Sequence, residues 1–278
     1  MRQFSSIESK VRELIKQRAD KLMHLALIQD PFASTEHFCM KSPHARFVPL
    51  EIFKGSHFER IFCDVFRDLW GELALFAANK SLGYAISNYR ITGSINRERL
   101  RRMHGILNSQ AYYGNEKERR IQPNWDSELE YILSGKSKQL IPVSVICDIY
   151  AEDKGNNRRY AFELKAPLPN SDQTKVSKEK ILKLYSMDPP QIDGAFYALP
   201  YNPYGHRKDY AWSFPDRWFD MKKDPVILIG DEFWEKIGGE GTYQAFIEAV
   251  NEIGPEYTNR IYRQYLGIEP PTSDEWKI

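Results

Sequence analysis

The chain has 278 residues, with 39 basic and 38 acidic side chains and a formal net charge of +1. A protein that coats nucleic acid by charge alone is far more basic, so any DNA contact must come from a local basic site rather than from the whole surface. Hydrophobic residues at 42% exclude a disordered chain, and this length buries a core without disulfide or metal staples. The three cysteines, Cys39, Cys63 and Cys147, show neither a CxxC pair nor zinc-ligand spacing. Cys63 and Cys147 sit in apolar runs and are expected as buried free thiols. No secretory segment or long apolar run is visible, so the expectation is a soluble, cytoplasmic protein with no membrane partner.

Residues Ile7 to Leu27 repeat apolar side chains at helical spacing, and Asp30-Pro31 ends that helix. Residues 31–55 read as a surface loop. Ser56 then looks like an N-cap with Glu59 completing a capping box. A helix over 57–79 follows, with Phe58, Ile61, Phe62, Val65, Phe66, Leu69, Leu73 and Phe76 on one stripe and Glu59 and Glu72 at its borders. Ile95 to Leu107 predicts a helix bearing Arg97, Arg99, Arg101 and Arg102. Residues 111–124 read as loop and Trp125 to Leu133 as a short helix. Ile141 to Pro167 reads as two apolar strands joined by a polar turn.

After this hairpin, Lys175 to Met187 predicts a lysine-rich helix, and Asp193 to Pro200 a strand. Residues 201–220 resist regular assignment. Pro225 to Gly230 predicts a buried strand, and Asp231 to Ile237 and Thr242 to Ile253 two helices split by a glycine-rich turn. The order implies an α/β (α+β) fold, a central mixed sheet flanked by helices. The expected organisation is a mainly helical N-terminal portion over 1–135, a core over 136–268 and a tail over 269–278. There is no glycine-rich phosphate loop, HExxH motif or nucleophile elbow.

The hairpin carries three chemical outliers, Asp148, Glu163 and Lys165. Strand residues alternate faces, so Glu163 and Lys165 share one while Phe162 and Leu164 take the other. A tight turn near Lys154-Gly155 or Gly155-Asn156 also brings Asp148 to the Glu163 face. Two carboxylates on one face repel unless a cation or proton lies between them. Magnesium suits such a site, because it favours carboxylate and phosphate oxygens while keeping several waters. An acid followed later by Glu-x-Lys also arises by chance, and charged strand residues are often a solvent face.

Asp148 followed after 14 residues by Glu163-Leu164-Lys165 resembles the PD-(D/E)XK nuclease signature, with Cys147 where that signature has proline. The segments YALPYNPYG at 197–205 and VILIGDEFWEKIGG at 226–239, followed by Thr242-Tyr243, extend the resemblance to type II restriction endonucleases, of the TdeIII-like group. The resemblance implies a restriction-endonuclease-like core that hydrolyses double-stranded DNA at a short palindrome. In it Asp148, Glu163 and the Leu164 backbone carbonyl would bind Mg2+, and Lys165 would serve the attacking water. Many relatives add a helix glutamate, for which Glu59 is the choice here and Glu72 the rival. It further implies a homodimer and a cognate DNA methyltransferase in the same system.

For DNA contacts, residues 201–220 are the candidate reading segment: Asn202 for adenine, Arg207 or Lys208 for guanine, and Tyr204 or His206 for the backbone. Lys175, Lys178 and Lys180 would meet phosphates, or else form a plain solvated helix face. Two alternatives stand beside the restriction reading. One is a repair or structure-specific nuclease of the same fold, the other a non-catalytic protein-binding module.

Overall fold

The computed structural model describes residues 2–32, 47–111 and 122–271. Its helices are α1 (Arg2–His24), α2 (Leu50–Phe66), α3 (Leu69–Ser81), α4 (Arg97–Ala111), α5 (Trp125–Leu133), α6 (Ser171–Ser186), α7 (Asp231–Gly238) and α8 (Thr242–Arg260). Its strands are β1 (Gly83–Asn96), β2 (Leu140–Asp153), β3 (Arg158–Leu164), β4 (Gly194–Leu199) and β5 (Ile227–Ile229). Contacts group the chain into two units, Met1–Leu73 with Gly241–Ile278, and Ala74–Glu240.

The first unit is helical. Along α1, Arg12 binds Glu252 of α8 at 2.8 Å, and Asp20 accepts from the Tyr257 hydroxyl at 2.5 Å. Leu22 and Ala26 bury against Ile61 and Val65 of α2 and against Tyr265. The buried His57 ring meets the Tyr265 hydroxyl at 2.9 Å.

The second unit is built on a five-stranded mixed sheet in the order β1-β2-β3-β4-β5, so the fold is α+β. The β1-β2 and β2-β3 pairs are antiparallel, the β3-β4 and β4-β5 pairs parallel. A parallel pair needs a crossover, and α6 supplies it between β3 and β4. Asn170 starts α6 by accepting from Gln173 N at 2.8 Å, filling one of the donors a helix N-terminus leaves open. The β2-β3 turn spans four residues, 154–157. Asp153 Oδ1 accepts from Gly155 N and Asn156 N at 3.0 and 3.1 Å, and Asn157 adopts a φ of +52°, a conformation asparagine tolerates.

Phe162 and Ile149 are buried, and Phe162 stacks on Phe196 of β4 and edge-on to Phe233 of α7. Full burial of such a side chain contributes about 1.5–3 kcal/mol, enough to fix which face of β3 turns inward. A one-residue slip would send Glu163 into that apolar layer, so the register is strongly specified.

Several expectations need correction. Ser56 is no N-cap: α2 begins at Leu50 behind Pro49, so Ser56 and Glu59 both lie inside the helix and no capping box forms. The expected helix over 57–79 is two helices, broken at Arg67–Asp68. Phe62 of its stripe is 42% exposed. Cys63 is exposed on α2, while Cys147 is buried as expected. Ile95 and Asn96 end β1 rather than open α4, which starts at Arg97 where the Asn96 side chain accepts from Glu98 N. The strand β1 itself was not foreseen. It is an edge strand with only scattered buried positions, and its apolar alternation changes parity between Ile86 and Tyr89, around Asn88 with a φ of +51°. Cys39, most of the 111–124 loop and most of the C-terminal tail lie outside the described residues.

Candidate active site

Pairing between β2 and β3 runs from Asp153↔Arg158 to Ile149↔Phe162. One further step of that register sets Asp148 across from Glu163, so the two acids share a sheet face. The Asp148 carboxylate accepts from Leu164 N at 2.7 Å and from Lys165 Nζ at 3.0 Å. Lys165 N donates to Ala198 O of β4 at 3.0 Å, which anchors the end of β3 between its neighbours. The structure therefore brings together Asp148, Glu163 and Lys165 of the sequence reading.

The Lys165 ammonium touches three oxygens: Asp148 Oδ2 at 3.0 Å, Leu164 O at 3.1 Å and Glu163 Oε2 at 3.3 Å. These are the three groups the sequence reading assigned to a divalent cation. Here a lysine ammonium stands where a cation's charge is wanted, so the donor set fits a small hard cation that keeps several waters of its own. Among the described residues no group of three or more His, Cys, Asp or Glu side chains could hold a metal ion. The cluster thus depends on the backbone carbonyl and on water for the rest of any coordination shell.

Glu163 is the unusual member. Its side chain is 2% exposed, against 37% for Asp148. Burial, and then the nearby negative charge of Asp148, push its carboxyl above the usual carboxylate range, opposed by Lys165 and Lys180. Behind the site the buried Cys147 thiol is raised to about 12, first by burial and then by the charge of Glu163, so it stays a neutral thiol.

The side of Glu163 away from Lys165 belongs to α6. Lys180 Nζ lies 2.9 Å from Glu163 Oε1 and 3.0 Å from Oε2, a contact to both carboxylate oxygens. A recess of about 290 Å3 opens there, lined by Glu163, Lys165, Lys180, Asp172, Gln173, Val176 and Ser177. Lys180 in this role was missed by sequence reasoning, which placed it against phosphate or on a plain solvated helix face. Its helical spacing from Gln173 and Ser177 was the available signal, since positions four and three apart share a helix face.

The remaining site candidates divide. Lys178 is a correction: its side chain is fully buried, 2.5 Å from Glu128 Oε2, and it donates to Gln110 Oε1 at 3.1 Å and Trp218 O at 2.5 Å. It reaches neither solvent nor phosphate, because two residues along a helix are about 200° apart and Lys180 takes the outward side. Lys175 is half-buried, its ammonium 5.6 Å from the centre of the Trp218 ring.

Arg207 is committed within the fold. It donates to Met221 O at 2.9 Å and Asp224 O at 2.6 Å and pairs with Glu232 at 3.1 Å, which leaves no free fork to read guanine. Asn202 uses its Oδ1 for Tyr204 N at 2.9 Å and its Nδ2 is buried, so the two-point contact to adenine is not available in this arrangement. Tyr204, His206 and Lys208 are exposed. Glu59 and Glu72 belong to the first unit, both exposed; Glu59 accepts from the Cys63 thiol at 3.9 Å and Glu72 pairs with Arg18 at 2.7 Å.

Among the described residues no helix is long and apolar enough to cross a membrane. No solved structure matches the chain. Among curated proteins, the type II restriction enzymes HgiCII and HgiBI of Herpetosiphon aurantiacus are 26% and 25% identical over 231 residues, 82% of this chain and 82% of each relative. The family described as "Type II restriction endonuclease, HinfI" matches residues 7–254, nearly the whole chain and all of the hairpin. The chain belongs to the HinfI family of type II restriction endonucleases.

Proposed function

We propose that this restriction endonuclease cuts both strands of duplex DNA by Mg2+-dependent hydrolysis at the Asp148, Glu163 and Lys165 cluster, and that the hairpin is of the PD-(D/E)XK type. The observation that supports the reading is the convergence of two carboxylates, a backbone carbonyl and the Lys165 ammonium within 3.0–3.3 Å. Asp148, Glu163 and Leu164 O would hold the cation. When bound, it would offset phosphate charge and lower the pKa of a water.

The rest of the chemistry falls to the chain itself. Lys165 turns its ammonium from the carboxylates toward the attacking water and the phosphate oxygens, stabilising the charge that develops in the transition state. Its flexible stem and compact charge suit that movement. Leu164 N holds the Asp148 carboxylate in place through the 2.7 Å hydrogen bond, so one oxygen is oriented before substrate arrives.

Contacts to DNA phosphate are assigned to Lys175 and Lys180, and base or backbone contacts to Tyr204, His206 and Lys208. The protein would act as a homodimer, matching two-fold symmetry in a palindromic site, beside a DNA methyltransferase that shields the host sequence. The TdeIII-like grouping rests on sequence resemblance alone, since the matched family is that of HinfI.

The test is digestion of plasmid DNA with Mg2+, followed by sequencing of the fragment ends. Discrete fragments sharing one end sequence are expected, and they would fix site and stagger together. A smear, or cutting that persists in Lys165→Ala and Asp148→Ala, would remove the assignment.

A further inference from the structure

The proposed metal site carries its own counter-ions. Asp148 and Glu163 supply two negative charges, and Lys165 and Lys180 two positive ones, all within hydrogen-bonding reach. A divalent cation approaching this cluster meets no net attraction and two ammonium groups already seated on its ligands. Lys165 has its role in the reaction. Lys180 has so far only a contact to DNA phosphate, yet it grips both oxygens of the most buried carboxylate in the site.

We propose that Lys180 is a positioning residue that makes cation binding conditional on DNA. In the free protein it holds the Glu163 side chain aimed through both carboxylate oxygens, and it occupies the carboxylate the cation needs. When a phosphodiester arrives, Lys180 moves to a phosphate oxygen and leaves Glu163 to the cation. The inference rests on the metal-site reading given under Proposed function.

Two observations support the exchange. The Lys180 side chain is 30% exposed while Glu163 is 2% exposed, so the lysine can leave the pair and the glutamate cannot. The 290 Å3 recess beside them gives the ammonium room to move and the cation room for its waters.

Calorimetric titration of Mg2+ alone into the DNA-free protein, at one mildly alkaline pH, tests this. Lys180→Gln removes the competing charge, and its Mg2+ affinity should rise about tenfold over the wild type, as expected for loss of one partly exposed charge beside the ligand. Lys180→Met, which keeps the aliphatic stem, carries the same expectation, so a folding defect in one variant leaves the other to decide. Lys180→Arg keeps the charge and should bind Mg2+ as the wild type does. In plasmid digestion the neutral variants should reach half-maximal cutting at lower Mg2+ while needing more DNA.

Equal or weaker Mg2+ binding by both neutral variants overturns the inference. If the wild type cuts DNA, Glu163→Gln abolishes cutting and the Lys180 variants bind Mg2+ unchanged, the metal site stands and only the role of Lys180 falls. If the wild type neither binds Mg2+ nor cuts, the metal-site reading falls as well.

Discussion

Two charged clusters lie on opposite sides of α6, only two residues apart in sequence at their lysines. On one side Lys178 meets Glu128, Gln110, the Trp218 carbonyl and the field of Asp224. On the other Lys180 meets Glu163, with Lys165 and Asp148 beyond it. Both pair buried carboxylates with ammonium groups. They differ in what surrounds the pair. The Lys178 cluster is sealed within α4, α5 and α6, and burial lowers the ammonium's pKa despite Glu128. The Lys180 cluster opens to a recess. A sealed pair ties elements together and is costly to break, whereas an open pair can exchange partners, which substrate binding requires.

The largest effect should come from the open cluster. Lys165→Ala is expected to reduce DNA cleavage by about a thousand-fold, the upper range for losing one positioned group that stabilises developing charge, with the melting temperature nearly unchanged. Strong residual cutting would make the open cluster structural and erase the contrast.

On the sealed side, Lys178→Met leaves Glu128 buried without its partner and should destabilise the fold by about 3–5 kcal/mol, measured by urea unfolding. Adding Glu128→Leu should recover much of that loss, because the unpaired charge is then gone. A single variant as stable as the wild type would show that the pair is not sealed.

Asp224 sharpens the same contrast through pH. Burial raises its carboxyl from 3.8 to about 6. A raised carboxylate pKa means the folded state binds the proton more tightly than the unfolded state. Its contribution is therefore complete below pH 3.8 and is lost as pH rises through about 6. Asp224→Asn cannot ionise, so relative to it the wild type should lose about 3 kcal/mol across that window. Parallel stability curves for the two proteins would contradict the burial of Asp224 as the cause.

The smallest effect concerns the outer part of α6. Lys175→Ala should leave stability near the wild type and lower the slope of log affinity for DNA against log salt by about one. An unchanged slope would assign Lys175 to its contact with the Trp218 ring instead.

The hairpin was legible because its signals are local. Apolar strands, a polar turn and alternating faces brought Asp148, Glu163 and Lys165 to one surface, and the four-residue turn that formed preserves that parity. The α5 boundaries were legible for the same reason: Asn124 caps the helix within its own segment, accepting from Ser127 N. The start of α2 was not, since Ser56 followed by Glu59 carries the local capping pattern, yet the chain was already helical from Leu50.

Sequence by itself determined which residues could do the chemistry, because residue type and strand parity are properties of short segments. Only the tertiary structure decided which charges are free to act. Lys178 and Lys180 look alike in the sequence, and Arg207 looks like a reader of bases. Burial against Glu128, the reach of α6 over Glu163, and the hold of Glu232 and two carbonyls on Arg207 all depend on segments distant in the chain. The cost of desolvating a charge, and therefore its function, is set by those neighbours rather than by the residue's own side chain.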